Sequence, residues 1–496
     1  MAEKTMVIIG AGLAGLSTGC YGRMNGYKTH IYEHHTMPGG VCTAWKRDGY
    51  VMDGCIHWLM SCKPGSGFRK IYDELGAFRD NRLMFLDHYV RFHDQDSDQA
   101  LDFGSDLDRL AADMKAIAPE DSLSIDEFIK GCRDLAALDM PAPEPRELGM
   151  GAGVKSLWEM RGFLKYMIKY NVPVNQYTLR FKNLFIRECI NKLFLPDMPV
   201  SFLFVVLGQL AGGQLGCVEG GSQRFSDAIA RRYQELGGEI TYRASVEEIL
   251  VENDRAVGIR LADGSEIKAD IVVSAADGYS TIFQMLGGKY LDQSIRHRFE
   301  TWPLFKPLLM ITYGAAREYS GEKAAQLIKL PKPLKILNQE TDSMHLRIFN
   351  YDASLAPSGC TVLQATLETG YDGWIDLQKD SAAYDREKER IAGEVLQIID
   401  GLFPGTKDSI EVTDVATPYT WFYYTRNYRG SYEGWLMTKE ALQTQIPKTL
   451  PGLQNFYMAG QWVEPGGGIP PALYSGRNLI RILCKQDHKI FTVAGS

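Results

Sequence analysis

Three glycines at fixed spacing, Gly10, Gly12 and Gly15, follow the apolar run Thr5-Met6-Val7-Ile8-Ile9, and an acid, Glu33, stands 18 residues beyond the last of them. That combination suits the pyrophosphate of a dinucleotide. Gly10 permits a tight turn after a buried strand, and Gly12 lets the backbone close on a phosphate. Gly15 lets the next helix pack against the strand. Leu13 and Ala14 open that helix, whose free N–H groups and positive dipole end attract phosphate. Residues 28–32 predict a second strand, and Glu33 at its end can accept hydrogen bonds from a ribose diol while repelling a 2′-phosphate. A glycine turn by itself says little. The preceding strand, the following helix and the acid at this distance give it weight.

The elements that must hold this turn are spread along the whole chain. A glycine pair, Gly39-Gly40, precedes an expected hairpin over 49–54. Residues 68–78 predict a helix, 89–92 and 100–103 paired strands, and 106 onward another helix. Pro141 to Pro145 punctuates the chain as a loop. A second alternation starts at Val218-Glu219-Gly220-Gly221-Ser222: helix 225–236, then strands over 239–243, 246–251, 256–261 and 270–274. A mixed region follows, with a strand over 308–313 and a helix over 383–401. Near the end, strand 456–460 closes on Gly460, and a glycine-rich loop leads into a helix from Ile469 through Arg481. A strand–glycine–helix unit this far away predicts that distant sequence completes the nucleotide domain.

With 496 residues, a net charge of −7 and 23 % charged residues, the chain is expected to form two or three domains and not to take nucleic acid as its main partner. The first strand is expected within about five residues of Met1, so no leader peptide is expected. The apolar stretch 199–211 is too short to span a bilayer. Nine scattered cysteines without a C-x-x-C pair fit a reducing cytoplasm, and no metal site is expected. Residues 151–195 carry eight bases against two acids, interleaved with Trp158, Phe163, Met167, Ile168 and Phe185. Two readings stay open: basic amphipathic helices that touch an anionic membrane surface, or a helical unit whose basic face is solvated.

Four blocks together resemble the FAD-dependent phytoene desaturase, carotenoid isomerase and retinol saturase group within the flavin amine-oxidase superfamily. They are the Gly10–Gly12–Gly15 turn with Glu33; Gly39-Gly40 with Asp53-Gly54; Glu219-Gly220-Gly221 through Asp270-Ile271-Val272; and Gly460 to Gly476, with Glu464-Pro465-Gly466-Gly467-Gly468-Ile469-Pro470 its most specific part. The resemblance implies an α/β fold: a Rossmann-type, GR2-like FAD-binding domain assembled from 1–70, 215–285 and 440–490. A mixed α+β substrate domain would comprise 71–150 and 286–439, with a helical, membrane-facing subdomain at 151–214. It implies that Gly39 and Gly40 approach the pyrophosphate and ring side and that Val246 meets the adenine through its backbone. Gly460, Gly467, Gly468, Ile469 and Pro470 would lie along the flavin and its phosphates.

A contiguous NAD domain is not expected, because the pattern comes from three separated segments. A second dinucleotide motif is absent too: Gly149-Met150-Gly151-Ala152-Gly153 is followed by Val154 where a third glycine is required. The expected activity is therefore FAD-dependent desaturation, saturation or isomerisation of a hydrophobic polyene, isoprenoid or related lipid, with an unidentified electron acceptor or donor. Localisation is expected in the cytoplasm or peripherally on a membrane. His57, Arg426 and Glu433 are the candidates for a polar group near the flavin, with structural roles open for each; Arg426 and Glu433 are also readable as an ion pair. Two alternatives stand beside this reading. One is an amine oxidase, with Trp421, Phe422, Tyr423 and Tyr424 as its aromatic cage. The other is a non-catalytic FAD-containing lipid-binding protein.

Overall fold

The computed structural model describes residues 3–136, 138, 145, 148 and 150–493, with the backbone alone at 150–157 and 159. Five short parallel strands form one sheet in the order Phe456–Met458, Ile271–Ser274, Lys4–Ile9, Tyr27–Tyr32, Glu239–Thr241. The two central strands are buried on both faces, as parallel strands covered on each side must be. Helices Leu13–Met24, Gly221–Glu235 and Ile469–Gln486 cover one face and bury Leu16, Tyr21, Ile229, Tyr233, Leu473 and Ile480. An antiparallel ribbon, Val246–Glu252, Arg255–Leu261 and Glu266–Lys268, covers the other through Ile249 and Ile259 against Val7 and Val272. The fold is thus the α/β arrangement the sequence predicts, with both ends and the centre of the chain meeting in one sheet.

Three consecutive residues show how the far C-terminus is locked in place. Ser475 Oγ accepts the Gly460 N–H at 2.8 Å and the buried Lys448 ammonium at 3.1 Å; that ammonium also pairs with Glu464 at 2.6 Å. At Gly476 a Cβ would stand 2.6 Å from the Thr18 nitrogen, so a side chain there would push helix Ile469–Gln486 off helix Leu13–Met24. Arg477 donates to Glu74, which also accepts the Tyr21 hydroxyl at 2.5 Å.

A second, seven-stranded sheet runs Ile410–Ala416, Leu308–Ala315, Thr361–Glu368, Gln339–Ile348, Ala325–Ile336, His88–Asp94, Gln99–Gly104. Every pairing in it is antiparallel except that of Ala325–Ile336 with His88–Asp94. Strand alternation splits its central strands into two faces. Ile311, Tyr313, Leu346, Ile348, Leu363 and Leu367 pack on helix Ser381–Leu402. The opposite face carries Thr312, His345, Arg347, Gln364 and Thr366, matched across strands as Arg347 with Gln364 and His345 with Thr366.

Above this polar face stand helices Leu184–Leu193 and Val200–Ala211, which share one core with Leu107–Ile117 and Ser122–Ala136. Gly131 leaves the gap that admits Phe204, whose ring would lie 2.6 Å from a Cβ there. The apolar stretch 199–211 is this buried helix. Among the described residues no helix is long and apolar enough to cross a membrane. Gly149 of the unmatched glycine run lies outside the described residues, and Met150 to Val154 begin helix Met150–Lys169.

Candidate flavin and substrate site

The first glycine turn is built as its spacing requires. Gly10 has φ +95°, and its N–H donates to Tyr32 O at 2.8 Å, which ties the ends of the two first strands together. A Cβ on Gly15 would sit 2.0 Å from the Gly10 carbonyl oxygen. At Gly12 a Cβ would meet no protein atom within 4 Å; the glycine faces open space in a large cavity. Glu33, 7 % exposed, accepts the Ala11 N–H at 2.6 Å and the His35 N–H at 2.7 Å. Burial raises its pKa. A carboxylate has about four acceptor positions, so Glu33 keeps capacity for a diol.

Gly39 and Gly40 fold back onto this turn: the Gly39 N–H donates to Ala11 O at 2.9 Å, and a Cβ on Gly40 would stand 3.3 Å from Gly12 Cα. Asp53 explains why its block travels with the middle block. Its carboxylate accepts from Ser222 N at 3.1 Å and from the Ser222 hydroxyl, at the N-terminus of helix Gly221–Glu235. Ala244 N donates to Glu33 O, and Val246 follows at the rim of the same cavity. Gly460, Gly467, Gly468, Ile469 and Pro470 line the cavity from the opposite side, with Pro470 in the first turn of its helix, where a missing N–H costs nothing.

The cradle therefore fits a dinucleotide. Its backbone is held open where a phosphate must approach, two glycine turns lie against one another, and a buried acid waits at the ribose end. The cavity runs on from the cradle to a volume of about 2240 Å³. Its floor is the polar face of the seven-stranded sheet, and its roof is apolar: Phe163, Met167, Phe194, Met198, Phe202 and Val206. It opens to solvent beside Ile168, which lines it and is 75 % exposed.

The three polar candidates separate. Glu433 lies against the second glycine loop, where a Cβ on Gly467 would stand 2.6 Å from its Oε2. Burial pushes its pKa up to about 7, against a hydrogen bond from the Gly468 backbone. His57 also lines the cavity. Burial, then Arg347 and His345, hold it neutral, well below the usual imidazole range. Arg426 is exposed on a left-handed turn after helix Pro418–Thr425, near His34, whose pKa is lowered by burial first and by the Arg426 charge second; it stands on the Glu33 side of the cavity. No ion pair joins Arg426 to Glu433 among the described residues. Of the aromatic run, Trp421 is buried against Trp45, while Tyr423 and Tyr424 are about half exposed. The cavity-lining lysines among the described residues are Lys192 and Lys388, and Lys192 is paired with Asp342.

Sequence reading missed Arg347, His345 and Asp277, all of which line the cavity. Asp277 accepts the Ser280 and Tyr428 N–H groups, both at 2.7 Å, and burial raises its pKa to about 6. For the first two the available signal is the alternation of Thr341, Ser343, His345 and Arg347 along one strand face.

A glycine cradle assembled from distant segments and opening onto a large cavity defines a dinucleotide-binding protein with room for a second ligand. The profile of flavin containing amine oxidoreductases matches residues 13–479, and the chain belongs to that family; its cofactor is FAD. Relatives include a chloroplastic prolycopene isomerase from Daucus carota, 24 % identical, the match covering 96 % of this chain and 79 % of that protein. A neurosporene-forming phytoene desaturase from Rhodobacter capsulatus is also 24 % identical, covering 96 % and 93 %. Among solved structures, wild-type putrescine oxidase bound to putrescine has TM-score 0.61 at 14 % identity, covering 97 % and 99 %. An oxidoreductase from Methanosarcina mazei has TM-score 0.60 at 17 %, covering 96 % and 100 %. At such identities the two structures share the fold with this chain.

Proposed function

We propose that this oxidoreductase acts on C–C or C=C bonds of a hydrophobic polyene, isoprenoid or related lipid, by desaturation, saturation or isomerisation. The carrying observation is the roof of the cavity, apolar and continuous with the flavin cradle. The bound flavin supplies hydride transfer. The protein's share is to align an extended chain between helices and sheet, to exclude water along the roof, and to hold a proton at the Glu433 carboxyl. The kinship with a prolycopene isomerase and a phytoene desaturase supports this reading. An amine substrate is less well served: among the described residues the cavity-lining lysines are Lys192, paired with Asp342, and Lys388, over Tyr384, and the aromatic run is split between buried Trp421 and half-exposed Tyr423 and Tyr424.

Anaerobic spectra of the FAD-loaded protein test the reading. A polyene that is desaturated bleaches oxidised flavin. One that is saturated restores the colour of dithionite-reduced flavin, and isomerisation shifts the polyene's own band. Bleaching by amines without any response to polyenes would sink the proposal.

We further propose that the cavity mouth rests on an anionic membrane surface. Trp158, Ile168, Leu179 and Leu184 are 65–75 % exposed. Arg161, Lys165, Lys169, Arg180 and Lys182 are exposed among them, and Arg161 stacks on Trp158 at 3.9 Å. The bases would be drawn to anionic headgroups and the apolar side chains into the acyl boundary. The protein is expected to co-sediment with phosphatidylserine vesicles and not with phosphatidylcholine alone. Glutamine at Lys165, Arg180 and Lys182 should weaken that binding roughly a hundredfold, at about 1 kcal/mol per base. Equal binding to both vesicle types would refute it.

A further inference from the structure

One cation in the cavity has no counter-charge. Arg347 is 7 % exposed and lines the cavity floor, yet among the described residues no carboxylate lies within ion-pair distance of it. Its guanidinium donates to the neutral hydroxyl of Tyr351, at 3.1 Å, and to the thiol of Cys217. Asp53, the acid whose charge it feels, accepts the Ser222 hydroxyl and the Ser222 and Cys55 N–H groups and forms no ion pair with it. The imidazoles nearest in charge, His57 and His345, line the same cavity. Arginine stays protonated in proteins, and a buried charge without a partner is costly. A hydrocarbon substrate would leave that cost standing, and with the cavity filled even water would be excluded.

We propose that the cavity takes an unsaturated lipid bearing a carboxylate, and that Arg347 seats this head group. The proposal rests on the polyene reading above and narrows it from lipids in general to acids. A planar guanidinium with free N–H groups matches a carboxylate in charge and in fork geometry. One such group, beside a tyrosine hydroxyl and two neutral imidazoles, suits a single negative charge and falls short of a diphosphate. The rest of the site agrees. His345 and Arg347 lie on a polar floor directly across from Thr366 and Gln364, and the apolar roof receives the tail.

Calorimetric titration of the FAD-loaded protein with all-trans-retinoic acid and its methyl ester tests this, with linoleic acid and its ester as the straight-chain pair. In at least one pair the acid should bind roughly 30-fold or more tighter than the ester. Arg347→Gln should abolish that preference while leaving ester affinity and flavin content unchanged, and Arg347→Lys should keep part of it. Acid and ester of equal affinity in both pairs overturn the proposal, as does an Arg347→Gln protein that weakens acid and ester alike or loses its flavin. If that variant fails to fold, the wild-type comparison of acid with ester decides alone. A hydrocarbon polyene that binds and reacts while the acids do not leaves the polyene reading standing and removes this one. If no polyene of either kind binds, both fall.

Discussion

Alanine at Gly15 is expected to leave no flavoprotein to purify, while alanine at Gly12 leaves a folded protein that has lost its grip on FAD. The two glycines belong to one motif, three residues apart, and fail for different reasons. At Gly15 the new methyl would lie 2.0 Å from the Gly10 carbonyl oxygen, a backbone atom held by the hydrogen bond from Gly10 N to Tyr32. Neither the strand nor helix Leu13–Met24 can yield, because the helix is pinned by the close contact of Gly476 with Thr18. The cost should exceed about 3 kcal/mol, a large part of a domain's stability. At Gly12 the backbone is ordinary, φ −64°, and a methyl enters open space. The fold should lose about 1 kcal/mol, from a poorer helix cap. The methyl instead occupies the path of the pyrophosphate, and FAD affinity should fall roughly a hundredfold. Thermal melts with and without added FAD separate the two. Gly12→Ala should melt within a few degrees of the wild-type apoprotein but lose the FAD-induced rise, whereas Gly15→Ala should lack a cooperative transition. Equal behaviour of the two variants would mean that the turn serves folding alone.

How far the site could be read beforehand follows from the kind of signal each part leaves. The cradle depends on backbone that side chains would obstruct, and glycines at fixed spacing record that directly. Asp53 and Gly221, or Ser475 and Gly460, are far apart in sequence, yet each sits beside a glycine whose spacing already draws attention. The cavity floor leaves no comparable mark. Met344-His345-Leu346-Arg347-Ile348 alternates as any half-buried strand does, and the pattern is the same whether its polar face meets solvent or an internal cavity. Only the helices 184–211 lying over that face turn Arg347 from a solvated side chain into a buried charge. Arg426 shows the converse. Seven residues from Glu433, it reads as a neighbour, but a left-handed residue at its own position and a second at Arg429 turn the chain, leaving Arg426 exposed on the Glu33 side of the cavity and Glu433 at the glycine loop.

Replacing Glu433 by glutamine should lower turnover by about 10²- to 10⁴-fold with FAD content unchanged, the range expected when a positioned proton-transfer group is removed. The loop aims this carboxyl at one place. Ser431 Oγ both accepts the Gly434 N–H and donates to Gly434 O at 3.1 Å, closing a tight bend. The Glu433 side chain is thereby held against Gly467 and Gly468, inside the flavin cradle. Its pKa of about 7 places it between acid and base at neutral pH. The pH profile then reports the direction of reaction. Desaturation needs the carboxylate, so its rate should rise with pH through about 7; saturation needs the acid, so its rate should fall. Stability gives a second readout with a fixed sign. The folded-state pKa lies above the ordinary 4.5, so the native state favours the proton, and stability should decline as pH rises from 4.5 to about 7. Glutamine removes that decline. At pH near 8 the variant should be more stable than the wild type by about 2 kcal/mol, after allowance for cavity water, and the difference should vanish below pH 4.5. A rate profile that keeps its inflection in the glutamine variant would place the titrating group elsewhere, with Asp277, raised to about 6 in the same cavity, the next residue to change.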